Sequence, residues 1–289
     1  MFGRWNVTVT RRVPALAGGC LLSWAMAGCV DTATQYSEYA SRVAATGGLR
    51  TDVAPADAPF DNDDLALNFE RIAFFTEYSH EDGELKKEET ASTLSRWERP
   101  LKLRLKGDGV RPADRTSYQK LAKRLSNLTG IDVSVSTSDK GNVSVYILND
   151  GERQDYRDLL LDEDDSGRFQ IIDDWADEFR YPCVALVGYA GNDRGEISSA
   201  IIVIKGELEG VMRESCIHEE LTQVMGLMND HPEVRPSIFN DDEEFALLTK
   251  HDELLLRILY DARLRPAMEL EEARPLIPEI VRDVSADRT

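Results

Sequence analysis

The sequence has few histidines, few basic residues and no long apolar run. Only 4 of its 289 residues are histidine, and no obvious zinc site with three imidazole ligands can be drawn from them. Lys and Arg total 34 against 53 Asp and Glu, for a net charge of -19. Such a surface repels nucleic acid and anionic lipid headgroups, so we expect no nucleic-acid partner. With 42% apolar residues, the chain can still bury one core.

The first residues have the layout of an export signal. Three arginines precede an apolar stretch that begins at Val13 and ends in the letters M-A-G-C at positions 26 to 29. This order matches a secretory signal with a lipoprotein box, whose cysteine becomes the lipidated first residue after cleavage. The stretch is too short and too interrupted by glycine to span a membrane. We therefore predict a signal peptide over residues 1–28 and a periplasmic protein, anchored to the cell-envelope membrane by acyl chains on Cys29.

Two segments follow the predicted signal. Residues 29–59 are polar, rich in alanine and contain proline and glycine, which is typical of a flexible tether. Residues 60–289 show no internal repeat and no second composition class, so we predict a single domain there.

Cysteine usage agrees with export. Two of the four cysteines lie before residue 30, which leaves Cys183 and Cys216 in the domain. An even pair in an oxidising compartment predicts one disulfide, which would connect a strand that begins near Cys183 to a helix that begins near Cys216. Two buried free thiols are the alternative.

Hydrophobic periodicity predicts an alternation of helices and strands. Apolar residues at spacings of three and four indicate helices, and strict alternation or short β-branched runs indicate strands. The predicted helices are 61–78, 114–128 and 241–260, and the predicted strands are 101–105, 131–135, 143–148, 184–189 and 197–204. We expect strands 131–135 and 143–148 to pair with each other, and residues 79–93 to form a charged connection.

The segment from Cys216 to Asp230 reads C-I-H-E-E-L-T-Q-V-M-G-L-M-N-D. In the active-site helix of a zinc peptidase, two ligands lie one turn apart and a glutamate after the first ligand acts as general base. One frame of this segment fits that pattern. Glu219 and Gln223 take the two ligand positions and Glu220 takes the base position. Asn229 falls where a longer form of the pattern has its third ligand.

The donor types weaken the case for zinc. Imidazole and thiolate are the usual zinc ligands, whereas a glutamine amide is a weak donor and a carboxylate also suits harder cations. A site made of Glu219, Gln223 and Asn229 would hold zinc loosely, and calcium or magnesium would fit it as well. Asp230 is a further oxygen donor beside it. We therefore expect no cofactor or a divalent cation. The alternative is that Glu219 and Glu220 are acidic residues on a partly exposed helix.

A second helix could add a ligand. The acidic segment S-I-F-N-D-D-E-E at positions 237–244 opens the predicted helix 241–260. Since one class of zincins takes its third ligand from such a helix, four oxygen donors there are candidates: Asn240, Asp241, Glu243 and Asp252. A solvated helix start is the alternative for this cluster.

The order of the predicted elements is that of a zincin upper subdomain. A helix and several strands precede the helix that carries the glutamates, and Gly226 lets the chain leave that helix with positive φ. We therefore predict an α+β, zincin-like fold, in which a mixed twisted sheet lies beside the motif-bearing helix and a second long helix. Such an analogy does not establish activity.

Four sequence blocks carry a family resemblance. They read N-F-E-R-I-A at 68–73, C-I-x-E-E-x-x-Q-x-x-G-L-x-N-D at 216–230, S-I-F-N-D at 237–241 and L-L-x-x-L-Y-D-x-R-L-R-P at 255–266. The chain resembles, over roughly residues 60–270, a family of Gram-negative lipoproteins known only as a domain of unknown function. The resemblance implies no reaction. It implies that these residues match family motif positions: Glu219, Glu220, Gln223, Gly226, Asn229, Asp230, Asn240, Asp241 and Asp252. Ala267 stands where glycine is expected.

Two functions fit these observations. The first is a lipid-anchored cell-envelope protein with a zincin-like domain that is not catalytic and binds or assembles an envelope protein or peptide. The alternative is a metallopeptidase-like hydrolase with an atypical Glu/Gln/Asn metal site, in which Glu220 activates water. A purely structural envelope lipoprotein is a third, simpler possibility.

Overall fold

The computed structural model describes residues 31–81, 84–162, 170–191, 195–240 and 242–286. The predicted signal peptide, Cys29 and Asp241 lie outside these residues. Within them, no helix combines the length and apolar character that crossing a membrane requires.

Helices and strands alternate along the described chain. The helices are α1 (Thr32–Ala45), α2 (Asn62–Ala73), α3 (Pro112–Thr129), α4 (Asp150–Asp162), α5 (Gln170–Asp177), α6 (Gly210–Gln223), α7 (Lys250–Leu259), α8 (Leu270–Ala273) and α9 (Ile277–Ala286). The strands are β1 (Phe75–Glu81), β2 (Glu84–Ala91), β3 (Arg96–Trp97), β4 (Leu101–Lys106), β5 (Val133–Val135), β6 (Val143–Leu148), β7 (Cys183–Tyr189) and β8 (Glu196–Lys205).

A six-stranded sheet forms the centre of the domain. The strand order is β3-β8-β6-β4-β5 with parallel neighbours, and β7 pairs antiparallel with β8. Most residues of β6 and β8 are buried, as expected of parallel strands covered on both faces. The sheet and the helices around it confirm the α+β class.

Strands β5 and β6 do not pair with each other, which corrects the expected pairing. Both flank β4 and run parallel to it, so that Leu103 of β4 is opposite Val135 on one side and Val143 on the other. The chain between them passes close to β4, because a Cβ at Gly141 would lie 2.3 Å from the carbonyl oxygen of Lys102. Alternating sequences identify strands but do not identify their neighbours.

A hairpin replaces the predicted charged connection over residues 79–93. Helix α2 ends at Ala73, and β1 and β2 then form a separate two-stranded antiparallel sheet. Strand β2 carries four successive charged residues at exposed positions, Lys86 to Glu89, so the apolar alternation that signals a strand is missing. Residues of this hairpin form one wall of the cleft described below.

The N-terminal segment is not the flexible tether that its composition predicted for residues 29–59, as far as the structure describes it. It begins with α1, whose Tyr36 is 2% exposed and donates a hydrogen bond to the carbonyl oxygen of Phe179 at 2.6 Å. The chain then pairs with residues 243–246 through backbone hydrogen bonds from Leu49 and Arg50. Burial of the Tyr36 ring offsets the conformational entropy that the segment loses when it becomes ordered. A linker of polar residues has no such compensation.

Helix α6 carries the central motif and is tied to β7. A disulfide joins Cys183 to Cys216, which confirms the predicted pairing. The chain leaves the helix at Gly226 with φ 120, and a Cβ there would lie 1.9 Å from the carbonyl oxygen of Ser95. Glycine is therefore required both for the backbone angle and for the close approach.

The second helix is shorter than predicted. Helix α7 begins at Lys250 rather than at residue 241, and Thr249 is its N-cap. The acidic residues before it follow an irregular path, in which Glu243 has φ 56. This segment pairs with the N-terminal chain instead of forming the first turns of a helix. Long-range backbone pairing decided this outcome against local helix propensity.

Candidate binding cleft

A cavity of about 660 Å³ opens between β7, the β1–β2 hairpin and α6. Every residue of β7 contributes to its lining and is partly exposed. The other polar and charged residues that line it are Thr76, Glu77, Tyr78, Lys87, Arg180, Tyr181, Ser199, Ser215, Glu219, Glu220, Gln223, Asp230 and Glu243. The volume is in the range of sites that bind ligands.

Strand β7 is paired along one edge. Residues 183–189 pair with β8, and within the described parts of the chain no strand pairs with the opposite edge. An unpaired edge presents a row of backbone N–H and C=O groups that can form hydrogen bonds to another extended chain. Because this edge lies along the cleft, the cleft offers a template for an added strand.

Glu220 lies at the base of the cleft on α6. It is 4% exposed, and its Oε2 atom has no hydrogen-bond partner among the described residues. Burial raises the pKa of Glu220 well above its usual value, and the nearby carboxylates of Glu77 and Asp230 raise it further. The carboxyl group is therefore held in its protonated form over a wider pH range than an exposed glutamate.

Gln223 connects α6 to the hairpin. Its side-chain nitrogen donates a hydrogen bond to Oε1 of Glu77 at 3.0 Å. Glu219, one turn earlier on the helix, also lines the cleft. The two predicted ligand positions thus face the same cavity, but the glutamine amide is already engaged by a residue of β1.

Asn229 is separated from this group. It is fully buried, and its side-chain nitrogen donates to the carbonyl oxygen of Arg71 at 3.0 Å and to Glu89 at 2.9 Å. It does not line the cleft, whereas the neighbouring Asp230 does. In the described portion of the molecule, no group of three or more His, Cys, Asp or Glu side chains could hold a metal ion.

The sequence matches one protein family over residues 62–279, described as Protein of unknown function (DUF2927). The chain belongs to this family. The match begins at the first residue of α2 and includes every strand of the central sheet and all of α6. No curated protein and no solved structure matches the chain.

Three of the candidate ligands predicted on the second helix, Asn240, Glu243 and Asp252, do not come together at one site in the DUF2927 domain. Asp252 is fully buried and accepts hydrogen bonds from Ser237, Ile238 and Thr249, so it anchors the start of α7. Asn240 is 4% exposed and lies outside the cleft lining. Glu243 lines the cleft and is hydrogen-bonded to Tyr39 of α1, and burial raises its pKa.

The histidine of the motif has a structural role in the DUF2927 domain. His218 accepts a hydrogen bond from the backbone N–H of Leu248 at 3.1 Å through Nδ1. Burial lowers the pKa of His218 from 6.5 to about 4. The imidazole therefore stays neutral at physiological pH and connects α6 to the segment before α7.

Several lining residues of the DUF2927 domain were missed by the sequence analysis. Glu77, Tyr78 and Lys87 belong to the hairpin, and Arg180 and Tyr181 precede β7. The hydroxyl groups of Tyr78 and Tyr181 are hydrogen-bonded to each other. No local pattern could have assigned these residues to the cleft, because the hairpin itself was not predicted.

Proposed function

We propose that this chain is a lipid-anchored protein of the cell envelope, whose zincin-like domain binds an extended polypeptide in the cleft without hydrolysing it. The observation that carries the proposal is the edge of β7 with which no strand of the described residues pairs, and which runs along a cavity of about 660 Å³. A polypeptide added there would continue the sheet, and its alternate side chains would point into the cleft.

Support for a zincin-like fold comes from the relation of the sheet to α6. A mostly parallel sheet with one antiparallel strand lies beside a helix that carries two glutamates, and a glycine with positive φ follows the helix. This is the arrangement that the motif frame predicts when imidazoles are replaced by Glu219 and Gln223.

Binding is favoured over hydrolysis by the state of the predicted ligands. Glu219 and Gln223 line the cleft, and the Gln223 nitrogen is held by Glu77 of the hairpin, but Asn229 lies outside the cleft lining. A catalytic metal centre needs ligands that converge on one point and leave a position open for water or substrate. The three predicted ligands do not converge in this way.

One observation favours the metallopeptidase-like alternative. Glu220 is buried in a cleft and has a raised pKa, as expected of a residue that accepts and donates protons during catalysis. Hydrolysis of a peptide that is lost in a Glu220→Gln variant would support that alternative, and an intact peptide after prolonged incubation would support binding alone.

Support for export and anchoring comes from the sequence and from the disulfide. The lipoprotein box around Cys29 and the bond between Cys183 and Cys216 both suit an envelope protein. Metabolic labelling with a radioactive fatty acid tests the anchor, because a Cys29→Ser variant should lose the label and leave the membrane fraction.

The binding proposal is tested with a fluorescent pool of random, unstructured ten-residue peptides. We expect peptides from the pool to bind the wild-type chain, and a Ser215→Trp substitution to abolish binding because the indole would fill the cleft. Gln119→Trp, at an exposed position of α3, is the matched control and should bind normally. Equal binding by the wild type and the Ser215→Trp variant would place the peptide elsewhere and reject the proposal.

A further inference from the structure

The charge of the cleft lining is predominantly negative. Two of its basic side chains belong to Lys87 and Arg180, and Arg180 is already paired with Glu178. The acidic side chains outnumber them and come from four separate parts of the chain: Glu77, Glu219, Glu220, Asp230 and Glu243. A ligand of matching charge would be cationic.

An acceptor without a donor lies within this negative region. Glu220 is nine-tenths buried, and its Oε2 has no hydrogen-bond partner in the described structure. A buried carboxyl oxygen that lacks a donor is costly, and such atoms in native proteins call for a physical explanation. Glu77 and Asp230 are close enough to interact electrostatically with the same group. A donor that carries positive charge would satisfy the oxygen, favour the ionised form of Glu220 and offset its repulsion by Glu77 and Asp230.

The shape and chemistry of the lining decide which cation fits. A small metal ion needs several ligating oxygens around one point, and the described residues provide no cluster of three or more His, Cys, Asp or Glu side chains for it. Apolar side chains also line the cavity, among them Ala185, Val187, Ile201, Met228 and Ile238. A lysine side chain combines an apolar stem with a compact ammonium group, so it can contact both parts of the lining.

The geometry points to a recognition site for a lysine side chain of the bound polypeptide, with Glu220 as the acceptor of its ammonium group and Glu77 and Asp230 supplying negative charge. This inference rests on the proposed binding of a polypeptide along β7. A residue of that polypeptide which points toward α6 would be lysine, and the cleft would select basic segments of its partner. Arginine is less suitable, because its planar guanidinium is larger than the ammonium group and Glu220 is only 4% exposed.

The test uses three synthetic peptides of one sequence, Ac-Ala-Thr-Ala-X-Ala-Thr-Ala-amide, in which X is lysine, arginine or norleucine, and n-butylammonium as a separate small probe. Dissociation constants are measured by calorimetry with the full chain. We expect the lysine peptide to bind at least about thirtyfold more tightly than the norleucine peptide, since loss of one partner from a buried, charged hydrogen bond costs about 2 kcal/mol or more. Butylammonium should compete with the lysine peptide.

Two variants assign the effect to the proposed acceptor. Glu220→Gln should remove the preference for lysine over norleucine while retaining the binding of the norleucine peptide. Asp155→Asn, which makes the same charge change at an exposed position of α4, should leave the preference intact. Thermal unfolding of both variants establishes that they are folded.

The outcomes separate this inference from the proposed function. Equal affinities for the lysine and norleucine peptides, with both lost in Ser215→Trp, would overturn the lysine site and retain polypeptide binding. Tighter binding of the arginine peptide would overturn the choice of ammonium. Butylammonium binding that depends on Glu220, without binding of any peptide, would support the cation site and overturn the proposed function. If no probe binds, both ideas are wrong.

Discussion

Two buried carboxyl groups of the domain have opposite surroundings. Asp252, in the first turn of α7, is fully buried and accepts hydrogen bonds from Ser237, Ile238 and Thr249. Glu220, on α6, is almost as deeply buried, but its Oε2 has no partner among the described residues. Burial alone therefore does not mark a functional carboxylate. The two groups differ in whether the protein supplies hydrogen-bond donors to the carboxyl oxygens. A carboxylate that stabilises the fold needs such donors, whereas one that lacks a donor can accept a hydrogen bond from a ligand.

The largest expected effect is at Asp252. An Asp252→Ala substitution removes the acceptor of two hydroxyl and two backbone N–H donors in a buried site. We expect the free energy of unfolding to fall by about 4 kcal/mol, measured by urea denaturation. A loss below about 1 kcal/mol would show that Asp252 is not an anchor and would remove the contrast with Glu220.

The next prediction concerns His218, which connects α6 to the segment before α7. Its pKa is about 4 in the folded chain and 6.5 when exposed, so the unfolded chain takes up a proton first as the pH falls. The stabilising contribution is therefore complete above pH 6.5 and is lost between about pH 6.5 and 4. We expect that loss to amount to about 3 kcal/mol.

A His218→Asn variant tests this pH dependence. The asparagine oxygen can still accept the hydrogen bond from Leu248, but the side chain does not titrate. Urea denaturation at several pH values between 7 and 4 should show a steeper loss of stability for the wild type than for the variant. Parallel curves would mean that His218 is not buried in its neutral form.

At Glu220 we expect a smaller effect on the free energy of unfolding, with the opposite dependence on pH from that of His218. Its raised pKa means that the folded chain keeps the proton, so its contribution to stability is present below pH 4.5 and declines as the pH rises toward the folded pKa. Glu220→Gln cannot ionise, and we expect it to be about 1 kcal/mol more stable than the wild type at pH 8. The gain should shrink toward pH 4. A destabilised variant would indicate that the carboxylate is satisfied by an interaction that glutamine cannot replace.

The smallest expected effect lies outside both segments, at Ala267. This exposed residue has φ 61, a left-handed conformation that glycine adopts at lower cost. Ala267→Gly should raise the free energy of unfolding by roughly 0.5 kcal/mol, seen as a small increase in Tm. The variant shows how much the free energy of unfolding changes when only the local backbone is affected. It should leave peptide binding unaltered.

The parts of the fold that were predicted are those with strong local signals. Strands β4, β6 and β8 have apolar alternation or β-branched runs, the motif helix has a regular apolar stripe, and the two remaining cysteines form the expected disulfide. Glycine at position 226 was predicted to have positive φ, and it does. The glycine expected at position 267 is replaced by alanine, yet the backbone keeps the left-handed angle.

The parts that were not predicted depend on contacts distant in sequence. The β1–β2 hairpin carries charges on its exposed positions, so its strands have no local apolar pattern. Helix α1 is ordered by contacts of Tyr36 and Tyr39 with Phe179, which lies far along the chain. The acidic run at 240–244 has the composition of a helix start, but Glu243 and Glu244 accept backbone hydrogen bonds from Leu49 and Arg50. For the same reason, the hydrogen bond of Gln223 to Glu77 could not be foreseen.

The cross-link between Cys183 and Cys216 also has a mechanical consequence. It fastens the first residue of β7 to α6, whereas Tyr189 at the other end of the strand, roughly 20 Å away, has no such covalent tie to the helix. The disulfide therefore restricts the separation of β7 from α6 most strongly at the Cys183 end of the strand and least at the Tyr189 end. For a polypeptide bound as proposed, the Tyr189 end of the strand would then be the more adaptable end of the site.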